Sequence, residues 1–336
     1  MDLWDLVRRS GCRSVAVFGM AKNAGKTVTL NRLADAACRE GISLGLTSIG
    51  RDGEAWDVLI HRRKPSIRVG KGTLLATAEA CLKAGTAGLE TLEISAVTTP
   101  LGPVHITRVQ HPGRVEAAGP SRIEQLREVV GRLFDLGASL VLVDGAIDRR
   151  GPASPRVTEA CILATGAILS EDQGEAVRLT CERVRQINLP RAGPEDRLQW
   201  QAGRVVVRTG GRIESFAATE ALKENSKIRS MIRGAEAVVL AGGALTEHFL
   251  RGLIGEHVRI VVRDPTRVFV DDGLLRQFEQ AGGRLEVVEP LNLIAVTVNP
   301  VSLEGWSFDA GCFFRAVRDA LPGIPVFDVT AGLGPD

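Results

Sequence analysis

Apolar positions along this chain fall into two alternating rhythms. Short continuous runs read as buried strands. Between them, apolar residues recur at three- and four-residue spacing, as on one face of a helix. Residues 15–18 (Val-Ala-Val-Phe) form the first run, and Val28, Leu30, Leu33, Ala34 and Ala37 then mark a helix that Gly41 can close. A second strand is predicted over 42–49. Residues 73–83 carry helical spacing and stop at Gly85. From 89 to 117 the pattern changes to short strands, joined by Thr99-Pro100-Leu101-Gly102-Pro103 and by His111-Pro112-Gly113. A capping box, Ser121-Arg122-Ile123-Glu124, introduces an apolar helix reaching about Leu136, which Gly137 ends. Strands follow at 140–144 and 160–164, and a helix at 172–187. Strand and helix in regular alternation predict an α/β fold, doubly wound, with a mostly parallel sheet.

Residues 190–201 are polar, contain Pro and Gly, and read as a linker. Residues 204–213 predict a hairpin through Gly210-Gly211. Strands at 237–240, 258–262 and 285–288 then alternate with helices at 245–253 and 273–280. This makes 191–290 a small α/β unit of its own. A strand over 293–298 ends at Asn299-Pro300, followed by a helix over 307–321 and a last strand over 324–327.

Candidate chemistry concentrates where the first strand meets the first helix. Gly19-Met20-Ala21-Lys22-Asn23-Ala24-Gly25-Lys26-Thr27 joins them. Strand, glycine-bounded loop, Gly-Lys-Thr and helix are the frame of a phosphate-binding loop. In that frame the loop amides and the positive helix end face phosphates. Lys26 reaches the terminal phosphates and the Thr27 hydroxyl coordinates Mg²⁺. The usual pattern has four residues between its glycines; here five separate Gly19 from Gly25, and Met20 stands where the first Gly belongs. Asp144 closes an all-apolar strand, Leu140-Val141-Leu142-Val143, a Walker B pattern whose carboxylate holds Mg²⁺ directly or through water. Asp52, in Gly50-Arg51-Asp52-Gly53-Glu54 after the second strand, is a candidate to orient Mg²⁺ or the attacking water, with Arg51 toward phosphate. Asp148 and Arg149 are second-tier candidates for water activation and charge stabilisation. The catalytic set is therefore Lys26, Asp52 and Asp148, and the metal set Thr27, Asp144 and Asp52. Lys71-Gly72-Thr73 lacks the strand-loop frame. Gly242-Gly243 is one glycine pair after a strand, and His61-Arg62-Arg63-Lys64 reads as solvated surface. His105 and His111 have no helical His partner or nearby Cys, which argues against a metal site there.

Composition narrows the partners. The 336 residues carry a formal charge of only +2, with both signs mixed along the chain, which argues against nucleic acid. Six scattered cysteines without a Cys-x-x-Cys pair fit a reduced, cytoplasmic protein. The first residues lack the apolar core of a secretory signal, and no run approaches the ~20 residues that span a bilayer.

The longer loop resembles that of dethiobiotin synthetase and its relatives among the P-loop ATPases. More specifically, residues 19–27, Leu-Gly-Leu-Thr-Ser-Ile-Gly-Arg-Asp-Gly-Glu (44–54), Val-Asp-Gly-Ala-Ile-Asp-Arg (143–149) and Ile-Leu-Ala-Thr-Gly-Ala (162–167) resemble the P-loop subunit of the lysine 5,6-aminomutase reactivase family. The resemblance covers most of 14–170. It implies a P-loop nucleotide domain over 1–190, an inserted unit over 191–290, and a return to the first domain over 291–336. The loop supplies a nucleotide-binding set of Gly19, Lys22, Asn23, Ala24, Gly25, Lys26, Thr27 and Val28. The resemblance to relatives of dethiobiotin synthetase, where strand-Asn, helix and Ile-Pro-strand close the nucleotide domain, adds Asn299 as a candidate adenine contact, with a plain turn former as the alternative. With no Asn-Lys-x-Asp guanine motif, ATP with Mg²⁺ is favoured over GTP. The family implies a chaperone-like ATPase that releases damaged cobalamin from an adenosylcobalamin-dependent aminomutase, working with a second reactivase subunit. A homodimer follows by analogy with dethiobiotin synthetase. The chain lacks Asp-x-His-x-x-Gly, the motif by which many mutases supply His to cobalt, so it is not expected to hold the corrin itself. Two other readings compete. One is a dethiobiotin-synthetase-like ligase or kinase acting on a small carboxylate or amine, its pocket lined by the 89–117 strands. The other is a nucleotide-binding scaffold without turnover.

Overall fold

The computed structural model describes residues 1–50, 66–145, 154–217, 225–233 and 236–335. Two compact units separate, one formed by Met1–Cys181 with Asn292–Asp336, the other by Glu182–Leu291.

The first unit is an α/β structure built on a nine-stranded sheet. Its elements are α1 (Leu3–Arg9), β1 (Ser14–Gly19), α2 (Lys26–Arg39), β2 (Leu44–Ser48), β3 (Ile67–Val69), β4 (Leu74–Ala78), β5 (Gly88–Thr99), β6 (Gly102–His111), β7 (Gly113–Val115), α3 (Ile123–Asp135), β8 (Leu140–Asp144), β9 (Ala160–Gly166) and the start of α4 (Gln173–Ile187). The strand order is β18-β17-β9-β1-β8-β2-β4-β6-β5, where β17 (Leu293–Asn299) and β18 (Val326–Phe327) come from the chain's end and flank α9 (Ala310–Ala320). All pairings from β18 to β4 are parallel; β6 and β5 close the far edge as an antiparallel hairpin. The chain leaves β1 toward β2 on one side and later toward β9 and β17 on the other. That reversal makes β1 a topological switch point, and ligands of open α/β sheets bind outside the carboxyl ends of strands at such points.

Side-chain alternation explains the layers. Val15, Val17, Leu44, Leu46 and Leu142 point to one face and pack with Leu30, Leu33 and Ala37 of α2 and Leu3, Trp4 and Val7 of α1. Each leucine buried in this way contributes about 2 kcal/mol. On the other face Gly45 meets Val141 and Leu133 of α3, leaving no room for a side chain.

The second unit holds α5 (Pro194–Gln199), β10 (Arg204–Thr209), β11 (Arg212–Ala217), α6 (Asn225–Ile232), β12 (Ala237–Ala241), β13 (Leu245–Thr246), α7 (Glu247–Arg251), β14 (Val258–Val262), β15 (Val268–Phe269), α8 (Asp272–Gln280) and β16 (Arg284–Val287). Its five-stranded sheet runs β11-β10-β12-β14-β16, parallel from β12 to β16. Helices α6 to α8 cover one face with Ile228, Phe249, Leu250, Leu274 and Phe278. The other face holds a smaller core, with Val206, Val238, Leu240 and Val261 against Trp200.

Three local expectations are corrected. Residues 74–78 are a fully buried strand, β4, followed by a short 3₁₀ turn, not a helix. A short run such as Leu-Leu-Ala-Thr-Ala satisfies both periods, and pairing with β2 and β6 decides it. The capping box does not form: Arg122 is the N-cap of α3 and no side chain caps it. The stretch expected as a linker contains α5, whose Asp196 is buried, and the boundary between the units falls earlier, inside α4.

Candidate functional site

β1 ends at Gly19 and α2 begins at Lys26, so the loop between them spans residues 20–25. Two positions carry the turn. Asn23 has φ 65° and is the one non-glycine residue with positive φ among those described; Gly25, the N-cap of α2, has φ 104°. Asn tolerates the left-handed region better than most residues, and glycine enters it freely. Ala24 between them is buried.

Gly25 offers no side chain to cap α2. The first intrahelical bond runs from the Thr29 N–H to the Gly25 carbonyl (3.0 Å), so the first-turn N–H groups are directed out of the helix end. The partial positive charge of that end therefore lies at the carboxyl edge of β1. Lys26 folds back over the loop: a Cβ added at Gly19 would stand 2.9 Å from its Cγ. Glycine at 19 thus leaves the path for the lysine stem. Thr27 is half-buried at the second helical position, whereas Lys22 and Val28 are exposed.

The neighbouring strands fix this loop. The Met20 N–H donates to the Ala164 carbonyl at 3.0 Å, tying the loop's start to β9. On α2 the Thr29 hydroxyl meets the Thr297 hydroxyl of β17 at 2.9 Å, both buried. Asn299, the last residue of β17, lies against the loop: its Nδ2 donates to the Asn23 carbonyl at 3.1 Å. Neither of these side-chain contacts was read from the sequence. A threonine facing inward from an apolar strand was the available signal.

Asp144 ends β8, half-buried, in register with Val17 of β1 and Ser48 of β2. Its carbonyl accepts the Ile49 N–H (3.1 Å), and the next N–H, of Gly145, donates to the Val17 carbonyl at 2.8 Å. The carboxylate is therefore set at the strand end beside β1. The residues after β2 cross closely here as well. Gly50 donates to the Pro120 carbonyl at 3.0 Å, and a Cβ on Gly119 would sit 1.7 Å from the Ser48 carbonyl oxygen. Asp52 and Asp148, with Arg51, Arg149 and the basic run 61–64, lie outside the described residues.

Of the predicted site, the fold brings together Gly19, Asn23, Ala24, Gly25, Lys26, Thr27, Asp144 and Asn299 on the carboxyl edge of β1, β8 and β17. Among the described residues no three His, Cys, Asp or Glu side chains cluster as a metal cage. Mg²⁺ seldom needs one, since substrate phosphates and water fill most of its positions. His105 is buried on β6, opposite Thr77 and Ile94, with neither ring nitrogen hydrogen-bonded among the described residues.

The second unit has a cleft of about 720 Å³ at the amino ends of β12, β14 and β16. Two of its arginines are committed elsewhere. Arg208 and Arg259 share the buried Asp196 carboxylate at 2.5 and 2.6 Å, and Arg259 also holds Glu286. The Glu286 hydrogen bond raises the Arg259 pKa further above its ordinary value.

No known family model matches this chain, and neither a curated protein nor a solved structure does. No helix among the described residues is long and apolar enough to cross a membrane.

Proposed function

We propose that this chain is a P-loop ATPase of doubly wound architecture that binds ATP with Mg²⁺ at residues 19–27 and couples hydrolysis to a protein partner. The observation carrying this reading is the uncapped α2 N-terminus, with Lys26 laid across Gly19 and Asp144 at the adjacent strand end. A triphosphate fits that cradle. The first-turn N–H groups and the helix dipole receive anionic oxygens. Lys26 adds a mobile ammonium to the terminal phosphates, and Thr27 and Asp144 are the side chains that would hold Mg²⁺. When bound, the metal neutralises charge developing between the β- and γ-phosphates. Glycine at 19 makes room for the Lys26 stem, and glycine at 25 makes room for Asn299 at a positive φ. Water positioning is assigned to Asp52 or Asp148, which the chain places after β2 and β8.

The partner comes from the resemblance of residues 14–170. It names an adenosylcobalamin-dependent aminomutase carrying damaged cobalamin, met together with a second reactivase subunit in the cytoplasm. ATP- and ADP-bound forms would differ in affinity for the mutase, so hydrolysis shifts the population toward release. The second unit is the candidate partner-facing part.

The test measures ATPase activity of the purified chain alone, with the second subunit, and with a mutase inactivated by cobalamin damage. Hydrolysis stimulated by the mutase, together with recovered mutase activity, is the expected result. Turnover that needs only a small carboxylate or amine would overturn it in favour of a ligase or kinase of the dethiobiotin-synthetase kind. Tight ATP binding without hydrolysis under any of these conditions would leave a scaffold.

A further inference from the structure

We infer that Asn299 is a positioning residue that straps the phosphate loop, and that nucleobase recognition lies elsewhere; the inference rests on the proposed phosphate site. Asn299 ends β17, and 276 positions separate it from the loop residue it holds. Its amide is engaged with backbone at both ends. Nδ2 donates to the Asn23 carbonyl at 3.1 Å, and Oδ1 accepts the Val301 N–H at 3.2 Å. This assignment of the amide is chemically forced, because a carbonyl accepts only and an N–H donates only. Reading a purine edge bidentately takes an amide oxygen and an amide N–H together. One N–H and one oxygen lone pair are taken here, which fixes the amide plane, and turning that plane to a base edge would draw both bonds from the loop.

The packing around Asn299 supports the same role. A Cβ at Gly25 would meet the Asn299 Cβ at 3.2 Å, and one at Gly166 would stand 2.5 Å from the Asn299 carbonyl oxygen and 3.1 Å from its Cβ. Asn299 therefore sits in a slot made by two residues without side chains, one from the loop and one from the end of β9. The peptide it holds belongs to Asn23, the non-glycine residue with positive φ. Left-handed backbone costs an L-residue about 1 kcal/mol. A hydrogen bond to the carbonyl of that residue offsets the strain and holds the loop in its ligand-ready shape before any nucleotide arrives. The segment after Asn299 is itself fixed: the Ser302 N–H donates to the Trp306 carbonyl at 3.0 Å, and the Trp306 indole N–H donates to the Ala167 and Ser170 carbonyls at 2.8 and 3.1 Å. The strap thus hangs from an anchored loop.

The experiment uses calorimetric titration of the full chain with ATP, GTP and inorganic tripolyphosphate, which has phosphates but no base. Asn299→Ala should weaken all three by the same factor, about 10-fold, the value of one hydrogen bond. Selective loss of ATP affinity with tripolyphosphate binding intact would overturn the inference and return Asn299 to base reading. Unchanged binding of all three would overturn it as well. Lys26→Ala runs in parallel: if it leaves tripolyphosphate binding unchanged, the phosphate site itself fails, a result separate from either Asn299 outcome. Asn299→Asp keeps size and the acceptor for Val301 while deleting the donor to Asn23. In the nucleotide-free protein it should speed amide exchange across residues 20–26; unaltered exchange there would contradict the strap without reference to any ligand.

Discussion

Two of the glycine-marked loops that follow a central strand, those after β1 and β12, differ in what the glycines are for. After β1, Gly25 stands at positive φ and caps α2 with no side chain. After β12, Gly242 is filled by the protein's own backbone. A Cβ there would lie 1.9 Å from the Gln201 carbonyl oxygen and 2.3 Å from that of Arg204, and the Gly242 N–H donates to Arg204 at 2.7 Å. The helices that follow differ in the same sense. α7 begins with Thr246, whose hydroxyl accepts the Phe249 N–H, and α8 begins with Asp271, which accepts from Leu274. Those helix ends are satisfied internally. The α2 end is directed outward instead. The two glycines thus do different work: one opens a helix end, the other admits close backbone packing.

The sharpest way to break this comparison is Lys26→Ala. It should lower ATP turnover at least about 10²-fold, the scale of losing one preorganised charge-stabilising group. The melting temperature should stay within a few degrees, because Lys26 is only half-buried. Retained turnover in a steady-state phosphate-release assay would remove the functional half of the contrast.

Gly242→Ala and Gly25→Ala should then fail in opposite ways. The first drives a methyl into backbone and should destabilise the second unit by about 3 kcal/mol, read from urea unfolding followed by amide exchange in β10 and β12. The second costs about 1–2 kcal/mol through its φ but should impair nucleotide binding in calorimetry. Equal effects on binding would show that the two loops are not distinct.

Within the second unit, the charged face is structural if Asp196 is its keystone. Asp196→Ala removes the carboxylate that Arg208 and Arg259 share, leaving them Glu195 and Glu286, and about 2 kcal/mol of stability should be lost with nucleotide affinity unchanged. A drop in ATP affinity would assign that face a role in the site.

The smallest effect concerns pH and the caps. The Cys312 backbone N–H, and then its thiol, hold the Asp309 carboxyl below the usual range at the N-cap of α9. Because the folded value is lowered, this cap contributes fully above the ordinary Asp pKa of about 4 and is lost as pH falls through the folded value. Amide exchange at Cys312 should accelerate on acidification below that range, whereas the start of α2, capped by Gly25, should show no matching step.

Much of the first unit was legible from residue pattern. Val15 to Phe18 and Leu140 to Val143 read as buried strands, and Leu30, Leu33 and Ala37 as the core face of a helix, and the fold agrees. Gly19 to Thr27 carried the loop, and Asp144 its neighbour. Residues 74–78 read as helix because Leu-Leu-Ala-Thr-Ala is short enough to satisfy both periods, and neighbouring strands arbitrate. Residues 194–199 were misread because Pro, Glu and Asp suit a linker as well as the first turn of a helix; burial of Asp196 between two arginines depends on strands far along the chain.

Local chemistry by itself determined that a strand, a glycine-bounded loop and a helix opening with Lys26 and Thr27 follow one another, since hydrophobic period and φ preference act over a few residues. Only the tertiary structure decided which groups surround that loop. Strand order set Asp144 at the end of β8 and Asn299 at the end of β17, either side of β1 and its loop, and close approach at Gly19, Gly25 and Gly166 let Lys26 and Asn299 lie where they do. Contacts across 276 positions are fixed by sheet register and packing, which no local pattern of apolar and polar residues encodes.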